Sequence, residues 1–123
     1  MPPREVSNGR LAVIDVGSNS VRMVVYPATA LAAPPLFNEK AMCGLGRFQD
    51  PGSRMSDVAM DRALRIIHRF AHLADAMDVS LIDAVATAAI REAVNGEGFV
   101  DEIKRETGIS VRILPGQEEA RLV

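Results

Sequence analysis

The chain has 123 residues and a mass of 13.3 kDa, enough for one domain and not comfortably for two. Hydrophobic residues make up 48% and charged residues 24%, which excludes a wholly disordered chain. Lys and Arg number 14 against 16 Asp and Glu, and this balance argues against a surface built for the nucleic-acid backbone. We therefore expect no nucleic-acid partner, although backbone N–H groups can still bind a local phosphate.

Cysteine usage and the apolar segments bear on location. Cys43 is the one cysteine, so no intrachain disulfide can form, and we expect it to be a small packing residue in a reducing compartment. The first apolar stretch is interrupted by Asp15, and the stretch from Tyr26 to Phe37 contains prolines. Neither pattern is typical of a signal peptide or a membrane span. The sequence predicts a cytoplasmic protein without a membrane partner.

The first elements predict a hairpin and a third strand. Leu11 to Ile14 is a fully apolar run that is typical of a buried strand, and Val21 to Tyr26 has the same character. Asp15 to Ser20 between them is rich in turn-forming residues. So short a connection predicts an antiparallel hairpin. Leu36 to Leu45 is predicted to supply a third strand.

A long amphipathic helix is predicted from Asp57 to Met77. Ser56 is its expected N-cap, and Asp57 gives the first turn an acidic residue that complements the helix dipole. Apolar residues recur at three- and four-residue spacing along this segment, with charged residues between them. We expect one face to cover a sheet and the other to be solvated.

The next segment is predicted to form a βαβ unit. Ser80 to Ala89 is an apolar run compatible with a buried parallel strand. A helix is predicted from near Glu92 to Glu106, with Gly108 as its C-terminal stop. Ile109 to Leu114 alternates apolar and polar residues and predicts another strand, parallel to the first.

The end of the sequence indicates an unfinished helix. Gln117 to Glu119 is an acid-rich first turn, and Ala120 to Val123 follows with no C-cap, Gly or Pro. We expect the chain to be the front part of a longer protein, with residues 1–10 a disordered tail and 11–123 its first lobe. The alternative is a natural C-terminus that frays.

The loop after the first strand is the first candidate site. Gly17 lets a phosphate approach the backbone, and the N–H groups and side chains of Ser18, Asn19 and Ser20 can donate hydrogen bonds to its oxygens. Asp15, just before the loop, has the hard oxygen ligands that Mg²⁺ prefers. The alternative is an ordinary hairpin turn whose Asp and Asn satisfy local backbone groups.

Two further candidates lie near predicted strand ends. A carboxylate such as Glu118 or Glu119, in the first turn of a helix, can orient an attacking water as a general base; the alternative is that acidic residues there serve the helix dipole. Arg91 follows a predicted parallel strand, at the edge where open α/β sheets bind ligands, or else is a surface arginine at a helix start. His68 and His72 are expected to be a solvated pair and not metal ligands.

The order of these motifs resembles one enzyme family. Ala12 to Val25 (AVIDVGSNSVRMVV) resembles the opening strand and phosphate loop of the exopolyphosphatase and guanosine pentaphosphate phosphohydrolase family. Gly44 to Arg47 (GLGR) and Ala86 to Ala93 (ATAAIREA), the latter followed by Asn95 and Phe99, are similar to further motifs of that family. Ile113 to Leu122 (ILPGQEEARL) resembles its Gly-x-Glu-Glu-Ala-Arg-Leu signature. The resemblance covers nearly the whole chain, from about Leu11.

The resemblance implies an α/β fold: a ribonuclease H-like mixed five-stranded sheet with flanking helices, the first lobe of the actin, sugar-kinase and heat-shock ATPase type. It also implies release of terminal phosphate from polyphosphate or guanosine pentaphosphate by water attack with Mg²⁺, and a homodimer. Glu119 would be the catalytic base, Arg91 a substrate-phosphate contact and Asp15 the acid near the metal. Phosphate binding would fall to Gly17, Ser18, Asn19 and Ser20.

Two alternatives and one departure remain open. A sugar or acetate kinase shares the fold, although it would lack the signature around Glu118 and Glu119. A non-catalytic module that senses nucleotides or polyphosphate could keep the same residues. The family's second phosphate loop, Asp-x-Gly-Gly-Gly-Ser, is absent from this sequence, so we expect the chain alone to be inactive.

Overall fold

Five strands form one mixed sheet with helices packed on it. The computed structural model describes residues 9–27, 34–46 and 53–116. Along the sheet the strand order is β3-β2-β1-β4-β5. The elements in chain order are β1 (Leu11–Val16), β2 (Ser20–Tyr26), β3 (Phe37–Met42), α1 (Asp57–Ala76), β4 (Leu81–Ala86), α2 (Ala88–Glu92), α3 (Gly96–Thr107) and β5 (Val111–Ile113).

The predicted hairpin is confirmed. β1 and β2 pair antiparallel from Leu11 opposite Tyr26 to Val16 opposite Val21, so β1 continues through Asp15 instead of ending at Ile14. β3 pairs antiparallel with β2 and confirms the third strand, within shorter bounds than the sequence predicts. β1 also pairs in parallel with β4, so its backbone groups are hydrogen-bonded on both sides.

The core lies between one sheet face and two helices. Every second residue of β1 and β2 is buried, and this alternation places the apolar side chains on a single face. α1 contributes Ala63, Ile67 and Phe70 to the same cluster, and α3 contributes Phe99 and Ile103. The ring of Phe70 meets the ring of Phe37 edge-on, with centroids 6.4 Å apart. Aliphatic, Ala and Met side chains fill most of the remaining space.

The predicted long helix is confirmed almost to the residue. The hydroxyl of Ser56 accepts a hydrogen bond from the Ala59 N–H at 3.1 Å, which is the N-cap expected there. The helix ends at Ala76, with Met77 as its cap, one residue before the predicted end.

The segment that follows departs from the prediction. The strand predicted from Ser80 to Ala89 ends at Ala86, and the residues from Ala88 onward begin α2. The single helix predicted from Glu92 to Glu106 is instead two helices, because Ala93 has an extended backbone, with ψ of 142°. A short apolar run has no periodicity that separates a buried strand from a buried helix segment, so the pattern did not reveal the boundary, although Ala88 and Ala89 have high helix propensity.

The predicted βαβ unit is nevertheless confirmed. β4 and β5 are parallel, from Ala84 beside Val111 to Ala86 beside Ile113. α3 ends at Thr107, and its C-cap Gly108 has a φ of 79°, the left-handed conformation expected of a C-terminal stop. β5 is only three residues long, shorter than the predicted Ile109 to Leu114.

Both helical connections cross the same face of the sheet, as right-handed crossovers toward β4 and then β5 must. Within 9–27, 34–46 and 53–116, no element covers the opposite face. That face, called the open face below, carries alternate residues of the strands, and Met42 and Leu81 on it are 64% and 63% exposed. None of the helices in the described ranges is long and apolar enough to cross a membrane.

Several expectations fall on residues that the structure does not describe. They are the tail up to residue 8, Arg47, the carboxylates Glu118 and Glu119, and the final helix. Arg10, at the start of the described chain, donates a side-chain hydrogen bond to the Met77 carbonyl at 2.7 Å. Its own carbonyl accepts from the N–H groups of Ser80 and Leu81, so the chain is fixed to the sheet just before β1.

Candidate functional site

Three candidate segments leave the sheet at one edge. The parallel strands β1, β4 and β5 end together, and hydrogen bonds continue past their last residues. Thr87 N–H donates to the Val16 carbonyl at 3.3 Å, and Leu114 N–H donates to the Ala86 carbonyl at 2.9 Å. The loop after β1, helix α2 and the chain after β5 therefore begin side by side, where ligands bind in open α/β sheets.

The loop after β1 is a tight turn. Gly17 N–H donates to the Ser20 carbonyl at 2.9 Å, and a Cβ on Gly17 would lie 3.3 Å from that same oxygen. A side chain at this position would thus make a tight contact with the backbone of the turn. Asn19 is exposed and Ser18 is half-buried. The geometry is that of a hairpin turn, and its exposed polar groups remain compatible with a phosphate contact.

A second segment braces this loop from behind. The N–H groups of Cys43 and Gly44 both donate to the Asn19 carbonyl, at 2.7 and 3.1 Å. Gly46 N–H donates to the Ser18 carbonyl at 2.7 Å. The carbonyls of the loop are therefore held by protein, which fixes its shape. The sequence analysis predicts no such role for residues 43–46, and the GLGR motif is the one feature of the sequence that pointed to this segment.

Cys43 is part of the brace and not of the chemistry. Its side chain is 1% exposed, and burial raises the pKa of the thiol. Arg62 on α1 donates a hydrogen bond to the Cys43 carbonyl at 3.0 Å. The packing role predicted for Cys43 agrees with this position.

Arg91 lies between α2 and the end of β5. Its Nη1 donates to the Leu114 carbonyl at 3.0 Å, and its Nη2 lies 3.4 Å from the Glu92 carboxylate. A Cβ on Gly116 would lie 3.9 Å from the Arg91 guanidinium carbon. The side chain is 24% exposed, so it is neither a free surface arginine nor fully enclosed. Its guanidinium sits beside the start of the segment that leads to Glu118 and Glu119.

Asp15 lies on the open face of the sheet. It is exposed, with Arg22 opposite it in the antiparallel register and Val85 beside it in the parallel one. In the part of the chain that the structure describes, no three His, Cys, Asp or Glu side chains form a group that could hold a metal. One exposed carboxylate still fits Mg²⁺, which keeps several waters and is bound by one or two carboxylates together with substrate phosphates.

A cavity of about 660 Å³ lies next to Arg91. It is partly open to solvent, and its lining is mixed polar and apolar. The residues that form it come from α2, the α2–α3 connection, the start of α3 and the end of β5: Ile90, Arg91, Ala93, Val94, Glu97, Ile113, Leu114 and Pro115. Space for a ligand therefore exists on the side of Arg91 that faces these elements.

The histidine pair lies away from this edge. His68 and His72 are exposed on α1, and their ring centroids are 5.2 Å apart. The two histidines line a small cavity together with Asp75 and Glu106.

The sheet order, the parallel strand ends and the loop after β1 define an actin-like ATPase or sugar-kinase type of fold. Known proteins with this geometry agree. An exopolyphosphatase from Cytophaga hutchinsonii superimposes with a TM-score of 0.86 at 32% identity, over 93% of this chain and 36% of that one. The Ppx/GppA family member of Aquifex aeolicus gives a TM-score of 0.85 at 29% identity, over 93% and 37%.

The sequence comparisons identify the family. The model of the Ppx/GppA phosphatase family matches residues 24–123, and the chain belongs to this family. The protein named exopolyphosphatase 1 in Mycobacterium tuberculosis is 33% identical over 114 residues, and that of Mycobacterium leprae is equally similar. The match covers 92% of this chain and 33% of the M. tuberculosis protein. The chain thus spans about a third of the length of the curated relatives it matches.

Proposed function

We propose that the complete protein hydrolyses a terminal phosphoanhydride bond and releases orthophosphate from polyphosphate or from guanosine pentaphosphate. The observation that supports this most is the meeting of three strand ends at one edge. It brings the 17–20 loop and Arg91 to the same side of the sheet, next to the chain that leads to Glu119. The relatives named exopolyphosphatase support a polyphosphate substrate.

Each residue has a part that its chemistry suits. The N–H groups and side chains of Gly17 to Ser20 would bind phosphate oxygens without needing net charge. Arg91 would contact two oxygens of one phosphate with its planar guanidinium. Glu119 would orient a water and take its proton. The water oxygen then bonds to the terminal phosphorus and the bridging P–O bond breaks. The attacked phosphorus leaves as orthophosphate, and the shortened substrate is released as an anion that keeps the bridging oxygen.

Mg²⁺ is part of the same proposal. Asp15 would hold it, directly or through water, together with phosphate oxygens of the substrate. When bound, the cation supplies charge neutralisation at the phosphate oxygens. A cytoplasmic location and a homodimeric state complete the proposal, and both rest on the sequence reasoning and the resemblance.

Phosphate release decides the question. The complete protein and the 123-residue chain are compared on polyphosphate and on guanosine pentaphosphate, each with Mg²⁺ and with a chelator. We expect release by the complete protein only, and the faster substrate identifies the physiological class. Release of phosphate from neither substrate by the complete protein would overturn the proposal and favour a sensing module that binds without hydrolysis.

The general base has its own test. Glu119→Gln keeps the size and hydrogen-bonding reach of the side chain but cannot take a proton, so we expect phosphate release to fall by about 10²- to 10⁴-fold. Glu118→Gln is the matched control, and its effect should be much smaller. Equal activity of Glu119→Gln and the wild type would show that the base is another residue.

A further inference from the structure

The connection between α2 and α3 is fastened to the segment before α1. The side-chain oxygen of Asn95 accepts from the Met55 N–H at 3.0 Å, and its amide nitrogen donates to the Met55 carbonyl at 3.1 Å. Beside them, Val94 N–H donates to the Ser53 carbonyl at 2.9 Å. The side-chain amide of Asn95 thus pairs with the Met55 backbone as a peptide group of a neighbouring strand would, although the two residues are 40 positions apart in the sequence.

The fastening is made where water is largely excluded. Met55 is 4% exposed and belongs to the core, while Asn95 is half-buried. If the Asn95 amide were removed, the backbone N–H and C=O of Met55 would lose their partners in a buried place, which is costly. An aliphatic side chain at position 95 cannot replace either bond.

The α2–α3 connection is itself tightly packed. Gly96 N–H donates to the Ala93 carbonyl at 3.1 Å, and a Cβ on Gly96 would lie 2.0 Å from the Ile90 carbonyl oxygen. α2 is five residues long, and Arg91 lies four residues before Asn95. A displacement of Asn95 must therefore move α2 and, with it, the point from which the Arg91 side chain reaches the Leu114 carbonyl.

The same fastening reaches the loop on the other side of the site. Met55 directly precedes the N-cap of α1, and Arg62 on α1 donates to the Cys43 carbonyl. Cys43 in turn donates its N–H to the Asn19 carbonyl. α1 is thus tied at its start to the Arg91 side and about one and a half turns later to the brace of the 17–20 loop.

We propose that Asn95 is a positioning residue of the phosphate site: its paired hydrogen bonds with Met55 fix the α2–α3 connection and so hold Arg91 at a set place relative to the 17–20 loop. The inference rests on the proposed function for its kinetic consequence. It assigns Asn95 no contact with the substrate.

A double-mutant cycle in the complete protein tests the inference through the substrate that is hydrolysed faster. Asn95→Ala should lower kcat/KM about tenfold, mainly through KM, because misplacing a phosphate contact weakens its hold on the substrate. In an Arg91→Ala background the same change should lower kcat/KM by less than about twofold, since the residue through which Asn95 acts is gone. A full tenfold further loss in that background would overturn the inference.

Two more variants separate positioning from folding. Asn95→Asp keeps the shape and the acceptor toward the Met55 N–H but turns an oxygen toward the Met55 carbonyl, so it should behave like Asn95→Ala. Should Asn95→Ala fail to fold, Asn95→Asp replaces it in the double-mutant cycle with Arg91→Ala. Asn38→Ala is the matched control: it removes an exposed amide on β3 that accepts from Arg22 at 2.7 Å, and we expect kcat and KM to stay at wild-type values.

A crystal structure of the Asn95→Asp protein gives a readout that does not need activity. We expect the Arg91 guanidinium to lose its hydrogen bond to the Leu114 carbonyl, which in the wild type joins Nη1 to the carbonyl oxygen at 3.0 Å. An unchanged Arg91 would overturn the inference even if no phosphate release is ever observed. Failure of the wild type to hydrolyse either substrate would instead count against the proposed function alone.

Discussion

The orientation of the Arg91 side chain is set by the backbone around it. Its guanidinium is oriented by a carbonyl at the end of β5 and lies close to Gly116, so its position depends on two elements at once. An arginine oriented in this way presents its remaining N–H groups in a fixed plane. From the sequence, Arg91 was recognisable as a strand-end cation, but its partner Leu114, 23 residues away, was not.

Arg91→Lys is the sharpest test of that plane. A lysine keeps the charge but loses the fork of donors, so it cannot bond the Leu114 carbonyl and two phosphate oxygens together. We expect kcat/KM of the complete protein for phosphate release to fall about 10- to 100-fold, close to the value for Arg91→Ala. Arg105→Lys, at the exposed end of α3, is the matched control and should have no effect. Wild-type kinetics in Arg91→Lys would show that charge alone suffices.

Cys43 offers a test of the brace behind the loop. Because burial raises the pKa of its thiol, the fraction of reactive thiolate near neutral pH is below that of a free cysteine. We expect Ellman's reagent to react with the folded chain slowly, and with the chain in denaturant at the rate of a free thiol. A fast reaction of the folded chain would mean that residues 43–46 open readily.

Glu39 and Arg69 give stability a dependence on pH. Arg69 donates two hydrogen bonds to the Glu39 carboxylate, which lowers the pKa of Glu39 below 4.5. A lowered pKa means that this pair stabilises the fold above pH 4.5 and that the contribution is lost as the pH falls through the lowered pKa. The pair is exposed, so the effect is small. Thermal unfolding of Glu39→Gln should therefore occur at a lower temperature than wild type at neutral pH and at the same temperature in strong acid; Glu106→Gln is the control.

At the level of elements, the α2–α3 junction is where sequence and structure differ most. The apolar run through Ala89 predicted one strand and the next residues one helix, whereas the chain turns at Thr87 and again at Ala93. The deciding fact is a close approach of Gly96 to the Ile90 carbonyl, which no local pattern encodes. By contrast, Ser56 at the start of α1 and Gly108 at the end of α3 act through their own local chemistry, and both were predicted correctly.

Two glycines of α3 form a natural pair of experiments at this junction. Gly96→Ala would place a Cβ 2.0 Å from a backbone oxygen, so we expect a loss of about 1–3 kcal/mol in the free energy of unfolding. Gly98→Ala meets nothing within 4 Å and should gain up to about 1 kcal/mol from helix propensity. Urea unfolding of both variants checks the signs, and a neutral Gly96→Ala would show that the junction can relax.

For the whole molecule, the sequence predicted the β1–β2 hairpin and the parallel β4–β5 unit, and the family resemblance implied a mixed five-stranded sheet. The order of the five strands was not predicted. A hairpin, a long helix and a parallel βαβ unit leave few topologies once right-handed crossovers are required. The roles of Asp15 and Glu119 cannot be read from such rules, because a turn and a phosphate loop use the same residue types. Only the order of four motifs along the chain favours the phosphate loop, and the roles of Asp15 and Glu119 stay predictions.

The open face predicts behaviour of the isolated chain. It carries Met42 and Leu81, both more than 60% exposed, among half-buried apolar residues of β1 and β2. We expect the 123-residue chain to self-associate with rising concentration in sedimentation velocity. The double variant Met42→Gln, Leu81→Gln should associate less at unchanged net charge. Val58→Gln, equally exposed but on α1, is the control, and equal association of all three would exclude this face.

The fastening by Asn95 has a consequence for the chemical ageing of the protein. Asn followed by Gly is the sequence in which the backbone nitrogen attacks the side-chain amide most easily, closing a succinimide, releasing ammonia and opening with water to Asp or isoaspartate. In the fold, the Asn95 amide is held by Met55 and the Gly96 N–H by Ala93. Deamidation at Asn95 should therefore be slow while the chain is folded and fast once it unfolds. Each episode of unfolding would leave some molecules with a carboxylate facing the Met55 carbonyl, so that heat damage at this joint accumulates even when refolding is complete.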